Sequence, residues 1–447
     1  MLNTVELASQ ITGHVYLPGD EEYETRRRVF NGMIDKKPAV IVTCHNSEDV
    51  VCAVNFAKQN NLQISVKSSG HNVAGKAVID DGLVIDFTGM NRVIVDPDAK
   101  IASADPGAMW ATFDRETQKY GLAAPGGTVS DTAVAGLTLG GGIGWLIGPM
   151  GYTCDNLISA EVVTTDGEIL FVDDENHSDL MWALRGGGGG FCVVTKLNYR
   201  LRPLKNIYAG SLVVKLEDGV GFIQHIRALA PTIPDHLTLA ITFVTSASGE
   251  PVVSLDICSS QEMSIAQQAI EPFKSYPGII KDTLRVRDYC NWQCSIDDPT
   301  RAGLQMYWKS AFFANLSDDV IHTVKTAFSN VPSPRTKIFL EHIHGQALRT
   351  PRDFAAFGNR SYKYNLLIIS EWEDAEQDKE NIGWTRSLFS ALSADLVTKA
   401  YINYLNEDDI PREDSIYDRQ TIERLVEIKS KYDKHNLLGD VFATKST

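Results

Sequence analysis

The sequence predicts an α+β protein of two domains. A β-α-β pattern opens the first part, and alternating strands with intervening helix-like stretches fill the second. A length of 447 residues also exceeds what a single hydrophobic core is expected to organise. Hydrophobic residues at 43% and aromatic residues at 9% fit an ordinary globular enzyme, not a disordered or fibrous chain.

Residues 38–43 (PAVIVT) read as a strand. Ser47-Glu48-Asp49 then caps a helix reaching about Asn60, with Val50, Val51, Val54 and Ala57 on one face. In residues 62–67 (LQISVK) the apolar Leu62, Ile64 and Val66 alternate with a strand's period. Residues 83–86 form another strand, and residues 93–104 form a hairpin turning at Asp96-Pro97-Asp98. Residues 110–120 are helical, with Gly121 just past the C-cap, where a left-handed backbone favours glycine. Asp166-Gly167 joins strands at 160–164 and 168–172 through a pair that two-residue hairpins prefer. A short helix over 178–184 empties into Arg185 and the glycines 186–190, ahead of a strand over 191–197.

The character changes after Pro203. Strands are expected at 207–216, 237–244, 252–258, 306–314, 337–344 and 366–371, and helices near 217–229, 261–274, 317–330 and 375–392. That arrangement is an antiparallel sheet backed by helices. Tyr401-Ile402-Asn403-Tyr404 reads as a strand carrying polar aromatics, and Glu407-Asp408-Asp409 as a solvated acidic loop. No internal repeat or low-complexity tract is visible.

A formal net charge of −15 argues against nucleic acid or an anionic membrane as partner. Any bound phosphate must then be held by backbone dipoles instead of a basic field. Of seven cysteines, Cys44, Cys52, Cys154, Cys192 and Cys258 lie in apolar surroundings and read as buried thiols. Cys290 and Cys294 have no matching second pair, which argues against zinc, and no metal site is expected. Residues 1–20 hold no apolar core, and no run of eighteen apolar residues occurs, so a cytoplasmic location without secretion signal or membrane span is the expectation.

The chain is organised around residues 66–75 (VKSSGHNVAG). A strand end runs into small residues with accessible amides and one histidine, a loop suited to close approach of a phosphorylated ligand. Residues 70–77 nearly spell the triphosphate loop G-x-x-x-x-G-K-[ST], but Ala77 has no hydroxyl for the magnesium ion such a loop needs. Taken alone, the stretch also fits a glycine-rich turn with a solvated histidine. Residues 125–144 (PGGTVSDTAVAGLTLGGGIG) are a second glycine-rich region without the dinucleotide fingerprint G-x-G-x-x-G. Tight strand-to-helix packing explains such glycines one cluster at a time. Three clusters, each at the end of a regular element, are hard to attribute to turns alone.

Six segments, in order, carry a resemblance that spans nearly the whole chain: Lys67-Ser-Ser-Gly-His71, Gly136-Leu-Thr-Leu-Gly-Gly-Gly-Ile-Gly144, Thr153-Cys-Asp-Asn-Leu157, Trp182-Ala-Leu-Arg-Gly-Gly-Gly-Gly189, Tyr401-Ile-Asn-Tyr404 and Lys431-Tyr-Asp-Lys-His-Asn436. Together they resemble the vanillyl-alcohol-oxidase type of flavoprotein, and within it the berberine-bridge-enzyme-like FAD-linked oxidases. The resemblance implies a PCMH-type FAD-binding domain of two α/β subdomains over residues 1–205, with its core at about 35–205. A substrate domain over 206–398 and a segment over 399–447 that returns to the FAD domain follow.

The resemblance further implies that His71 bonds covalently to the 8α carbon of FAD, a neutral imidazole acting as nucleophile. Doubly tethered relatives carry a cysteine where this chain has Val129, so a single link is expected. Contacts to FAD are implied for Lys67, Ser68, Ser69, Gly70, Asn72, Gly127, Thr128, Val129, Thr132, Gly136, Gly140, Gly141, Gly142, Gly144, Asn156, Val194, Tyr401, Asn403 and Asn436. Two departures stand out. Gly189-Gly190-Phe191-Cys192 replaces Gly-Gly-Asn-Phe-Gly, and residues 437–443 (LLGDVFA) replace a Phe-Arg-x-Asn-Gln ending.

The implied reaction moves a hydride from a substrate carbon to flavin and a proton to a base, with O₂ reoxidising the flavin to give hydrogen peroxide. Tyr404 matches the family's tyrosine base, although a phenol of ordinary pKa, about 10, is a poor base unless neighbours favour its anion. Glu341 aligns with an acidic residue that assists the base in some sugar oxidases. Asn365 stands where plant relatives carry a catalytic glutamate, and an amide there suits hydrogen bonding to substrate, not proton transfer. His342 and His344 alternate outward from Glu341, away from its pocket. A small-molecule alcohol, a sugar or natural-product hydroxyl, is the expected substrate, with an amine of the hydroxynicotine type as alternative. A flavin-carrying structural or coat protein is the alternative from another class.

Overall fold

Three large β-sheets carry the molecule, beside a two-stranded one of Leu122–Ala123 with Arg202–Pro203. The computed structural model describes residues 2–297, 301–397, 399–409 and 416–439. The first sheet runs His14–Tyr16, Val40–Thr43, Leu83–Asp86, Ile64–Lys67, with the last three parallel. Burial on both faces explains their runs of Val and Ile, since the helix Ser47–Gln59 packs Ala53, Val54 and Ala57 into the same core as Val42, Ile64 and Ile85. The cap of that helix is Asn46, one residue before the serine expected, because its side chain accepts from the Asp49 amide at 2.8 Å.

The second sheet is antiparallel: Val93–Asp96, Ile101–Ala104, Val193–Arg200, Leu157–Val163, Ile169–Asp173. Gly167 turns its last hairpin at φ +84°, but Asp166 is not left-handed, and the bonds Thr164 N to Glu168 O and Gly167 N to Thr164 O make a three-residue loop instead of the two-residue turn expected. The helix Trp110–Gln118 seals one face with edge-on contacts among Trp110, Phe113 and Tyr199.

The third sheet is antiparallel too, in the order Ile279–Asp282, Ile207–Lys215, Pro251–Ser259, Leu237–Thr245, Lys337–His342, Tyr364–Trp372, Gln305–Phe313. Helices Gly219–Leu229, Met263–Lys274, Asp318–Phe328 and Asp378–Ala391 cover one face, burying Phe222, Ile270, Ile321 and Leu388. The other face looks back at the first two sheets. In the register, Glu341 pairs with Asn365, Asn365 with Phe312, and Ser310 with Leu367, so these side chains share that inward face.

After residue 396 the chain clasps the edge strand of this sheet. Val397 and Phe312 exchange backbone hydrogen bonds with residues across the edge (Val397 N to Phe312 O, Phe312 N to Lys399 O). The acidic run is no solvated loop: Lys309 reaches Asp408 at 2.8 Å and the buried Asp409 at 2.6 Å, and Tyr307 donates to Asp408. Nor is 401–404 a strand. Tyr404 N donates to Tyr401 O, and Ile402–Tyr404 is a 3₁₀ turn. A strand would send Tyr401 and Tyr404 to opposite faces. The three-residue period stacks them on one side, with ring centroids 4.7 Å apart. Cys52 is half-buried, unlike the fully buried Cys44, Cys154, Cys192 and Cys258. No helix among the described residues is long and apolar enough to cross a membrane, and no described cluster of His, Cys, Asp and Glu could hold a metal ion.

A buried ion pair locks the two halves. Arg360 forks onto Asp155 with contacts of 2.5 and 2.9 Å, and both side chains are almost wholly out of solvent. Arg360→Met strands a buried carboxylate and is expected to cost about 3 to 5 kcal/mol of unfolding free energy, read by chemical denaturation.

Candidate active site

Two loops beside the first two sheets are clamped together. His71 sits beyond the C-terminal end of Ile64–Lys67, and the Ser69 hydroxyl accepts from the Ala133 amide at 3.0 Å, tying that loop to residues 125–144. Gly70, at φ +75°, turns the chain so closely past Val29 that a Cβ would lie 3.2 Å from its methyl group. The half-buried His71 ring stacks on Phe30, centroids 3.9 Å apart and planes 19° off parallel, and its Nε2 lies 3.1 Å from Asp131 Oδ1. Asn31 joins this loop to the third sheet, donating to Val73 O at 2.8 Å and accepting from Met306 N at 3.2 Å.

The second loop places its glycines for two different reasons. At Gly140 a Cβ would fall 1.9 Å from Asn403 Oδ1, and at Gly142 it would fall 2.1 Å from Thr153 Oγ1. These glycines serve protein packing, which the structural explanation for the cluster had allowed. Gly136 is exposed and a Cβ there would meet nothing, so its face of the helix Val134–Leu139 is open for a ligand. Gly127 O and Thr128 O are taken by Gln293 Nε2 (2.7 Å) and Trp145 Nε1 (3.4 Å), while Thr132 O holds Trp110 N. Val129 lies between them, partly exposed.

Several residues expected to contact FAD have hydrogen-bond or packing partners in the scaffold. The Lys67 ammonium donates to Arg26 O at 2.6 Å and Asp86 Oδ2 at 3.2 Å, which ties it into the first sheet. Asn72 Oδ1 accepts from Lys76 N, closing its own turn. Asn156 is buried and donates to Met150 O and Tyr152 O. Val194 is buried in the strand Val193–Arg200, opposite Val162. Asn436 is exposed, in a turn bound to Gln63 and, through Leu437, to Ile64, at the end of the strand Ile64–Lys67 remote from His71. Of the divergent ending, residues 440–443 lie outside the described residues.

Across from these loops stands a hydrogen-bonded relay. Tyr404 donates to Glu341 Oε1 at 3.2 Å, Asn365 Nδ2 donates to Glu341 Oε2 at 2.7 Å, and Ser310 donates to Asn365 Oδ1 at 3.1 Å. Burial pushes the Glu341 carboxyl up to about 7, against the smaller lowering effect of the Asn365 and Tyr404 bonds. Burial, and after it the Glu341 charge, pushes Tyr404 well above the ordinary phenol range, so its neighbours do not favour a free tyrosinate. Asn365, expected to bond substrate, is fully buried, with Nδ2 donating to Glu341 and Oδ1 accepting from Ser310, so it bears directly on the Glu341 carboxyl.

Tyr401 and Asn403 connect the relay to the glycine loop. Tyr401 Oη accepts from Gly142 N at 2.7 Å and from Asn403 Nδ2 at 2.8 Å, and Asn403 also donates to Leu137 O. His342 and His344 do face away from Glu341, yet both are buried, not solvent-directed. Their rings stack at 4.8 Å, and burial pushes His342 down to about 3 and lowers His344, so both stay neutral. Phe30, Asp131 and Ser310 were not anticipated as site residues. For Ser310 a signal existed, a small polar residue at strand spacing between Trp308 and Phe312. Phe30 carried none.

An open glycine face, a histidine at a strand end and a proton relay opposite define a flavoprotein oxidoreductase site. Residues 38–173 match the family described as FAD binding domain, and residues 400–440 match the one described as berberine and berberine like. A FAD-linked oxidoreductase of Dictyostelium discoideum is 31% identical over 96% of this chain and 94% of its own. The crystal structure of 6-hydroxy-D-nicotine oxidase from Arthrobacter nicotinovorans superposes with a TM-score of 0.86 at 25% identity, covering 96% of each chain. Glucooligosaccharide oxidase from Acremonium strictum, whose flavin is described as 6-S-cysteinyl, 8α-N1-histidyl FAD, shares the fold with a TM-score of 0.87 at 22% identity over 98% of each chain. The protein belongs to the berberine-bridge-enzyme-like family of FAD-linked oxidoreductases, with a PCMH-type FAD-binding fold.

Proposed function

We propose that the protein is an oxidase of a small-molecule alcohol whose FAD is bonded to His71 and whose electrons pass to O₂. Bound FAD supplies a hydride acceptor and returns the electrons to O₂ as hydrogen peroxide. The observation that carries the reading is the Tyr404–Glu341 contact. An alcohol cannot lose a hydride from carbon at a useful rate unless its hydroxyl proton leaves as well, so a built proton acceptor is needed. An amine can react as its free base without one. The Tyr404 oxygen takes the substrate proton while its own proton moves to Glu341, and no discrete tyrosinate forms. Asn365 and Ser310 hold the carboxylate in line, and a carboxyl at about 7 is matched to neutral pH.

The walls beside Tyr404 suit an apolar body on that alcohol. Trp308, Leu367 and Ile369 form one cluster with Phe30, and Phe339 and Tyr404 pack against it. The same wall supports a second reading, a cyclic amine of the kind named for the nicotine oxidase relative. Peroxide release from the purified holoprotein, offered aryl alcohols, oligosaccharides and cyclic amines, separates the two. Turnover of an apolar secondary or benzylic alcohol is expected. Turnover of amines alone moves the protein to the second reading, and flavin that no substrate reduces points to a structural flavin carrier.

A further inference from the structure

Asp131 belongs to no role assigned so far. It lies in the glycine-rich loop next to the Ser69–Ala133 clamp, and it brings Oδ1 within 3.1 Å of His71 Nε2. That oxygen is buried and has no conventional hydrogen bond, although the side chain as a whole is 44% exposed. Phe30 covers one face of the same imidazole at 3.9 Å, which fixes the plane of the ring.

From this geometry we infer that Asp131 is the positioning residue for flavin attachment, fixing the His71 proton on Nε2 and accepting it as the histidyl bond forms. The inference rests on the reading of His71 as the attachment point. A carboxylate beside Nε2 keeps the proton there and leaves the lone pair on Nδ1. Bonding of Nδ1 to the flavin 8α carbon gives up one methyl C–H and one imidazole N–H bond and makes one N–C bond. The ring flavin is left reduced by two electrons, and dioxygen takes these with two protons as hydrogen peroxide. The imidazole gains positive charge as the N–C bond forms, and Asp131 removes that charge by taking the Nε2 proton. Its exposed flank passes the proton to solvent. The N1-histidyl linkage named for glucooligosaccharide oxidase is the connectivity such a tautomer produces.

The test uses the full chain, produced in riboflavin-starved cells and then mixed with FAD in air. Covalent flavin is followed by intact mass and by in-gel fluorescence after acid precipitation, and reversible FAD affinity is measured separately. Asp131→Asn is expected to bind FAD with unchanged affinity and to attach it on the order of 100-fold more slowly. Asp131→Glu should recover most of the rate, and added formate should accelerate attachment in Asp131→Ala. Attachment in Asp131→Asn within about three-fold of the wild-type rate, far below the loss that general-base removal causes, overturns the inference. So does slow attachment that follows weakened FAD binding and responds to neither Glu nor formate. A wild-type chain that acquires no covalent flavin instead removes the His71 reading beneath it.

Discussion

Tyr404→Phe lowers the rate of flavin reduction by 10²- to 10⁴-fold, the usual span for loss of a positioned acid or base, with little change in FAD content. The phenyl ring keeps the packing against Trp308 and Tyr401. Only the oxygen that takes the substrate proton and passes its own to Glu341 is removed. Glu341→Gln tests the other end of the relay. In the wild-type protein the anaerobic reduction rate should rise with pH through about 7 and then level off, because Glu341 must be ionised to receive the proton. In the Gln variant that inflection disappears and the plateau falls. An unchanged pH profile in Glu341→Gln would refute the relay.

The same ionisation links to stability with a definite sign. The folded-state pKa of Glu341 lies above its unfolded value, so the native protein holds a proton that the unfolded chain loses between about 4.5 and 7. Stability attributable to this group is complete below that window and is lost as pH rises through it. Glu341→Gln therefore raises the melting temperature at pH 8 and leaves it nearly unchanged at pH 4. A variant that is slower yet more stable in alkali marks a carboxylate kept in an unfavourable place for chemistry.

What the sequence revealed, and what it concealed, follows from the range of the interactions involved. The parallel strands of the first sheet and the hairpin strands around 166–167 are written in local alternation and turn chemistry, and their bounds emerged within three residues of expectation, whereas the edge strand His14–Tyr16 was missed. Glu341 could be placed on a strand in the same way. Its pairing with Asn365 and its contact with Tyr404 span 24 and 63 residues, and no local pattern encodes them. The 3₁₀ turn at 402–404 misled because four residues rich in tyrosine have strand propensity, while the hydrogen bonds from Gly142 to Tyr401 and from Asn403 to Leu137 that hold the turn are tertiary. Asp408 and Asp409 misled similarly: an acidic run reads as solvated until a buried lysine is found opposite. Glycine counts were informative but mixed two causes. Gly136 is open to a ligand, and Gly140 is required only because Asn403 occupies the space its side chain would fill.

His71→Ala carries the other large effect: complete loss of covalent flavin with the fold retained. The loop does not depend on the imidazole for its shape. Phe30 N to Gly70 O, Gly75 N to Asn72 O and Ala133 N to Ser69 Oγ all survive the change. The variant should still bind FAD reversibly, because the open face at Gly136 and the Tyr401–Gly142 contact remain. Intact mass of the wild-type protein should show one added FAD, and that of the variant none, with all flavin in the supernatant after acid precipitation. The loss also has a thermodynamic signature. A tethered cofactor is present at a fixed effective concentration, whereas a reversible one stabilises by mass action, about 2.7 kcal/mol at a free concentration one hundred times Kd. The melting temperature of His71→Ala should therefore climb with added FAD while that of the wild-type protein stays flat. If the variant keeps its flavin through acid precipitation, another residue makes the bond, and Cys294, which lies 3.3 Å from the Ser130 hydroxyl two residues before Thr132, becomes the first position to replace.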